Sequence, residues 1–162
     1  MISQYCQQWV TSNVPNIKLQ QSSPATESGE REVWQRCVSW GVNSMPYKII
    51  AVDTSQSHTN QENNQTGKVI GCSYYNDKGF LSALAVLPEY RGKRLGKILV
   101  AATLNHMVNG LTINVEDINL HVLGCDASAE RHQFYKSCGF RTTNDSRAGK
   151  SGGSYAFMDL EG

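Results

Sequence analysis

Leu84-Ala-Val-Leu-Pro-Glu-Tyr-Arg-Gly-Lys-Arg-Leu-Gly96 is the stretch on which the fold turns. Its first half reads as a buried strand, Pro88 interrupts it, and a short loop of glycine and basic residues follows. From Leu95 the period changes. Leu95, Ile98, Leu99 and Ala102 share one helical face, continued by His106 or Met107, and Gly110 ends the run. A strand that passes through such a loop straight into a helix builds an anion site. The first amides of a helix lack intrahelical acceptors, and that end carries partial positive charge. Gly92 and Gly96 let the backbone approach a ligand, while Arg91, Lys93, Arg94 and Lys97 add cations within one turn. The combination suits a pyrophosphate. It is neither the P-loop pattern G-x-x-x-x-G-K-S/T nor the dinucleotide pattern G-x-G-x-x-G. The plainer alternative is a solvated basic turn.

Toward the N-terminus, Phe80 to Leu87, Lys68 to Tyr75 and Tyr47 to Val52 read as successive antiparallel strands rich in β-branched and aromatic residues. Asn76-Asp-Lys-Gly79 is the tight turn of one hairpin. The other hairpin carries residues 54–67, which hold no apolar side chain and predict a long polar loop. A helix is expected from about Glu27 to Trp40, burying Val33, Trp34, Cys37 and Val38, with Gly41 as its stop. Asn16 to Gln21 is a weak strand. Ile2, Tyr5, Cys6, Trp9 and Val10 recur at helical spacing and predict an extra N-terminal helix within residues 1–14, packed on the domain or meeting a partner. Toward the C-terminus, Ile118 to Leu123 is a short strand. A helix then runs from Asp126 or Ser128 to Cys138, with Gly139 as its left-handed stop. Phe140 to Thr143 and Tyr155 to Leu160 close the chain as strands. The string predicts one domain over residues 1–162, of mixed α/β or α+β class.

Composition narrows the function. The 162 residues are 40% hydrophobic and 18% charged, as in globular domains, and the formal net charge of +1 gives no global attraction to nucleic acid or a membrane surface. Cys6, Cys37, Cys72, Cys125 and Cys138 are odd in number and contain no C-x-x-C pair. That argues against a disulfide framework or a zinc site and for reduced thiols in the cytoplasm. No apolar run reaches membrane-spanning length, and Met1-Ile2-Ser3-Gln4-Tyr5 lacks the features of a signal peptide.

Val86 to Leu99 resembles the acetyl-CoA loop of the GNAT N-acetyltransferases, whose signature is Arg/Gln-x-x-Gly-x-Gly/Ala. Arg91 and Gly96 match its first and last positions, and Arg94 replaces the middle glycine. Phe134-Tyr-Lys-Ser-Cys-Gly-Phe140 is similar to the family's closing F/L-Y-x-x-x-G-F element, at the usual distance and in the usual order. The resemblance implies a mixed, twisted central sheet of six to seven strands flanked by about four helices. In that fold the fourth and fifth strands splay apart and acetyl-CoA enters between them as co-substrate, with no metal. It implies that Leu84, Ala85 and Val86 offer backbone groups to the pantetheine arm, one of their N–H groups also facing the oxyanion. Arg91, Gly92, Lys93, Arg94, Leu95, Gly96 and Lys97 would hold the pyrophosphate. Tyr135 matches the family's general acid for the departing thiolate. The general base stays open: His121 occupies a plausible place on the fifth strand, with a structural role as the plainer alternative; His132, almost one helical turn before Tyr135, could equally orient a neighbour; and water relayed to bulk is a further option.

The expected activity is transfer of an acetyl group to the amine of a small molecule, peptide or protein by a monomer or homodimer. In the family the acceptor side is built by N-terminal helices and inter-strand loops, here Glu27–Met45, 54–67 and 145–154. The competing readings are a non-catalytic acyl-CoA-binding module, to which Arg94 and the lack of a strand carboxylate point, and a nucleic-acid binder using residues 91–97. Near-neutral charge and the absence of interleaved aromatics disfavour the latter.

Overall fold

A computed structural model describes residues 2–38, 42–56, 67–122, 128–143 and 154–158, with the backbone at 121–122, 128–129, 142–143 and 154–158. The segments rich in β-branched and aromatic residues form the expected meander: β2 (Tyr47–Asp53), β3 (Lys68–Tyr75) and β4 (Phe80–Val86) pair antiparallel in chain order. Asn76 Oδ1 makes the β3–β4 turn by accepting from the amides of Lys78 at 2.9 Å and Phe80 at 3.0 Å, and Gly79 supplies the positive φ of 93°. The weak strand is real. β1 (Ile17–Gln21) adds antiparallel to β2, burying Ile17 and Leu19.

On the other side of β4, β5 (Asn119–Val122) runs parallel to it. β7 (Ser154–Met158) is antiparallel to β5, and β6 (Phe140–Thr143) pairs antiparallel with β7 at the edge. Among the described residues the result is one seven-stranded sheet in the order β1-β2-β3-β4-β5-β7-β6.

Four α-helices accompany the sheet among the described residues. α1 (Gln4–Asn13) packs against β1 through Cys6 and Val10. Tyr5, expected on its buried stripe, is instead 70% exposed, because the stripe in contact is narrower than the periodicity implied. α2 (Glu27–Cys37) lies on β3 and β4 and is shorter than expected. Val38 is already extended at φ −132°, ψ 145°, so the helix ends at Cys37; Trp40 and Gly41, its expected end and stop, lie outside the described residues. α3 (Leu95–Asn105) crosses β2, β3 and β4 and relaxes into a π turn over His106–Gly110. α4 (Ser128–Ser137) packs on β6 and β5, and Gly139 at φ 98° follows it. Residues 57–66 of the expected polar loop, residues 144–153, Asp126 and the last two residues of the expected closing strand lie outside the described residues.

The core is the apolar layer between β2–β4 and the helices. Ile49, Ile70, Leu99 and Met107 are sealed within it, each worth about 1.5–3 kcal/mol of burial. One buried carboxyl group joins α2 to the sheet. Glu30, 2% exposed, accepts hydroxyl bonds from Ser22 at 2.6 Å, Thr26 at 2.6 Å and Tyr74 at 2.5 Å. Three donors satisfy its oxygens, which is what a buried polar group requires. Across β3, Ser73 and Thr103 share a 2.6 Å bond that ties α3 to the opposite face.

Candidate functional site

β4 and β5 touch through two described pairs, Phe80 with Asn119 and Leu81 with Leu120. Beyond Leu81, β4 bulges at Ser82 and continues alongside β3, while β5 continues alongside β7. A β-bulge adds one unpaired residue and turns the strand, so the sheet splits where the bulge lies. Beside the split is a cleft of about 680 Å³. It is lined by β4 from Ser82 to Val86, by Tyr90–Gly92 and Arg94–Lys97, by Glu130, Arg131, Phe134 and Tyr135 of α4, and by Cys37 and Val38.

The β4 wall presents backbone. Leu87 N donates to Ile70 O at 2.8 Å, so the antiparallel alternation turns the amide groups of Ala85 toward Cys72 and those of Leu84 and Val86 away from β3. Of the three residues expected to offer main-chain groups, Leu84 and Val86 turn theirs away from β3, Ala85 turns its own toward Cys72, and all three line the cleft. The carbonyl of Val86 accepts from Arg91 Nε at 3.0 Å and Cys37 Sγ at 3.6 Å.

The loop after β4 is held residue by residue. Glu89 makes a bidentate pair with Arg36 of α2 at 2.7 and 2.9 Å, and those bonds keep its carboxyl at about 2. The Tyr90 hydroxyl donates to Asp53 at 2.5 Å, and burial together with that carboxylate pushes its phenol up to about 12. Arg91 reaches back to β4. Gly92 then turns at φ 84° with open space around it, and Arg94 takes the left-handed conformation at φ 64°, ψ 16°.

Arg94 is the N-cap of α3 but makes no side-chain cap bond, and the first turn holds no acidic residue. The amides of Leu95, Gly96 and Lys97 begin a helix whose positive end is surrounded by Arg91, Arg94 and Lys97. Cations at a helix N-terminus are unfavourable unless an anion joins them. Lys93 is not part of the lining; its Nζ lies 5.6 Å from the centre of the Tyr90 ring. Gly96 has a packing reason. A Cβ there would lie 3.1 Å from Phe134 Cζ and 3.3 Å from Cε2, so its absence lets α4 approach the start of α3.

Tyr135 stands on α4 within the same cleft, between the rings of Phe134 at 5.1 Å and Phe140 at 5.9 Å. It is partly exposed at the wall, yet its surroundings are mostly protein, and desolvation, reinforced by Cys138, pushes its phenol well above the usual value. His121 lies on β5, paired with Tyr155, as the first residue past the last β4–β5 pair; its side chain is outside the described residues. His132 is half-buried on α4 and does not line the cleft.

Sequence reasoning missed Tyr90, Glu130, Arg131, Cys37 and Val38 as cleft residues, and Asp53 behind them. Arg131 was within reach, since it precedes Tyr135 by four residues and shares its helical face. Cys37 and Val38 fell within the Glu27–Met45 segment expected on the acceptor side but were read as buried helix residues; they are half-buried at the end of α2 and line the cleft.

A strand pair that parts beside a cleft, with an uncapped helix N-terminus and three cations on its lining, defines a mixed α/β protein whose cleft has the chemistry of an anion site. Comparison with known proteins names the family. The acetyltransferase (GNAT) domain model matches residues 56–142, more than half of the chain, and the chain belongs to the GNAT acetyltransferase family. The peptidyl-lysine N-acetyltransferase YjaB of Salmonella typhimurium is 34% identical over 80 residues, covering 49% of this chain and 48% of that protein. The chain thus matches about half the length of this curated relative. Among solved structures, the ribosomal-protein-S18-alanine N-acetyltransferase of Escherichia coli superposes with a TM-score of 0.60 at 15% identity, over 88% of this chain and 92% of that one. Arabidopsis thaliana Naa50, in complex with the bisubstrate analogue CoA-Ac-MVNAL, gives 0.55 at 18% identity, over 87% and 96%. A variant of the SpeG spermidine N-acetyltransferase of Vibrio cholerae gives 0.58 at 12% identity, over 88% and 93%. At these identities the likeness is one of fold. No helix among the described residues is long and apolar enough to cross a membrane.

Proposed function

We propose that the chain, read as one domain over residues 1–162, is an N-acetyltransferase that moves an acetyl group from acetyl-CoA to the primary amine of a small molecule or peptide. The observation that carries this reading is the cleft beside the β4–β5 split, which gathers outward-turned amides of β4, the bare N-terminus of α3 and Tyr135 around one space. In this reading the α3 amides with Arg91, Arg94 and Lys97 hold the pyrophosphate. Leu84 and Val86 align the pantetheine arm as an added strand edge would, and an N–H of this wall faces the carbonyl oxygen as it gains charge.

Tyr135 hydrogen-bonds the departing thiolate. Its raised pKa means the proton is present below that value and lost only as pH rises through it, so the donor is intact at neutral and mildly alkaline pH. The same shift makes full proton transfer to a thiolate, whose conjugate acid has a pKa of about 8.5, uphill, and hydrogen bonding is the larger part of its contribution. His121, placed by its backbone at the split, takes the amine proton directly or through water.

The relatives act, by their names, on peptidyl lysine, a ribosomal-protein alanine and spermidine, which sets the amine panel. The test is thiol release from acetyl-CoA with a lysine peptide, a peptide with a free N-terminus and spermidine. We expect amine-dependent release that falls about 100-fold in kcat in Tyr135→Phe with acetyl-CoA affinity retained. Binding of acetyl-CoA without release by any amine would point instead to an acyl-CoA sensor, the reading that Arg94 at a glycine position favours.

A further inference from the structure

Glu89, Tyr90 and Arg91 are consecutive, and each is tied to a different element: Glu89 to Arg36 of α2, Tyr90 to Asp53 at the end of β2, Arg91 to Val86 of β4. The residues that follow, Gly92 and Arg94, both have positive φ, and the cations beside them repel one another. Such a loop does not hold its shape by its own preferences. The three ties differ in strength. Arg36 and Glu89 are 39% and 43% exposed, where water and salt weaken an ion pair. Asp53 is 6% exposed and accepts from Ser55 N at 2.9 Å, Ser55 Oγ at 2.6 Å and the Tyr90 hydroxyl at 2.5 Å. Burial raises its pKa, but the bonds from Ser55 and Tyr90 and the charge of Lys93 outweigh this and hold it below the ordinary carboxylate value. Tyr90 itself lines the cleft, and its ring lies under the Lys93 ammonium.

We propose that Asp53 and Tyr90 are positioning residues for acetyl-CoA: a buried carboxylate at the end of β2 grips the Tyr90 hydroxyl and so fixes the loop that presents the α3 amides to the pyrophosphate. This rests on the acetyl-CoA reading of the cleft. The pair touches no reacting atom, so it governs coenzyme affinity and leaves the chemical step alone. Asp53 is remote from the loop in sequence and was not marked as a site residue by any motif.

The experiment titrates acetyl-CoA calorimetrically into wild type, Tyr90→Phe, Asp53→Asn, the double variant and Arg36→Ala, with circular dichroism to establish folding. Each single brace variant is expected to raise Kd about tenfold, the range for losing one charge-assisted hydrogen bond that organises a site, and the double variant to be no worse than either single. Arg36→Ala should weaken binding less. In the thiol-release assay the KM for acetyl-CoA should rise by the same factor with kcat within about twofold of wild type. Unchanged Kd in Tyr90→Phe, additive effects in the double variant, or a fall in kcat at constant KM overturns the brace. Tyr90→Phe removes one oxygen and decides the matter if Asp53→Asn does not fold. Wild type that fails to bind acetyl-CoA overturns the coenzyme reading itself, whereas wild-type binding with an indifferent Tyr90→Phe overturns the brace alone.

Discussion

Arg94 sits in a backbone conformation that disfavours any side chain, at the end of a helix that disfavours any cation. Left-handed geometry for a residue with a Cβ costs about 1–2 kcal/mol. In the family signature this is the middle glycine, so the glycine there has a conformational reason and the arginine here keeps the conformation at a cost. Its compensation is charge beside the bare N-terminus of α3. Arg94→Gly should therefore move stability and affinity in opposite directions. The free protein gains about 0.5–1 kcal/mol in thermal or urea unfolding, after the added chain entropy of glycine is counted. Acetyl-CoA binding weakens, most at low salt, where a cation's attraction to phosphate is least screened. A destabilised Arg94→Gly with unchanged affinity would contradict this account. The sequence showed which residue stood out of pattern. That its backbone keeps the glycine's conformation came from the structure.

At the scale of elements, the contact between α3 and α4 connects the anion loop to Tyr135. Gly96 lets Phe134 lie against the helix start, and Phe134 in turn flanks Tyr135. Gly96→Ala improves helix propensity and crowds Phe134, two effects of similar size, so stability should stay within about 1 kcal/mol of wild type. Function should not. A displaced Phe134 shifts Tyr135 and narrows the entry of the ligand, and kcat in thiol release is expected to fall about tenfold. Full activity in Gly96→Ala would show that the close approach is packing without consequence. The elements themselves were readable from composition and period: β-branched and aromatic runs bounded by turns gave β2, β3 and β4, and the change of period at Leu95 gave α3. Ends were less readable. Val38 is extended and ends α2 at Cys37, and the residues that hold Glu89 and Tyr90, at positions 36 and 53, lie too far away in the chain for any local pattern to pair them.

For the molecule as a whole, the split in the sheet is the decisive feature, and it follows from few interactions. β4 has a continuous partner in β3 and, among the described residues, two register pairs with β5. The order of elements and the two motifs predicted this architecture through family resemblance; neither composition nor spacing alone implied a parted strand pair. Much of the cleft lining was legible because it is concentrated in the adjacent residues 84–97 and in Tyr135. Its other walls were not, because the end of α2 and the first turn of α4 meet residues 84–97 only through the fold.

The central question is whether this cleft takes acetyl-CoA through the α3 N-terminus. Calorimetric titration of acetyl-CoA at low and high salt measures that directly. One site per chain is expected, with affinity that weakens as salt rises and weakens less in Arg94→Gly, where one cation has been removed. Absence of binding, or binding indifferent to both salt and Arg94→Gly, would contradict it.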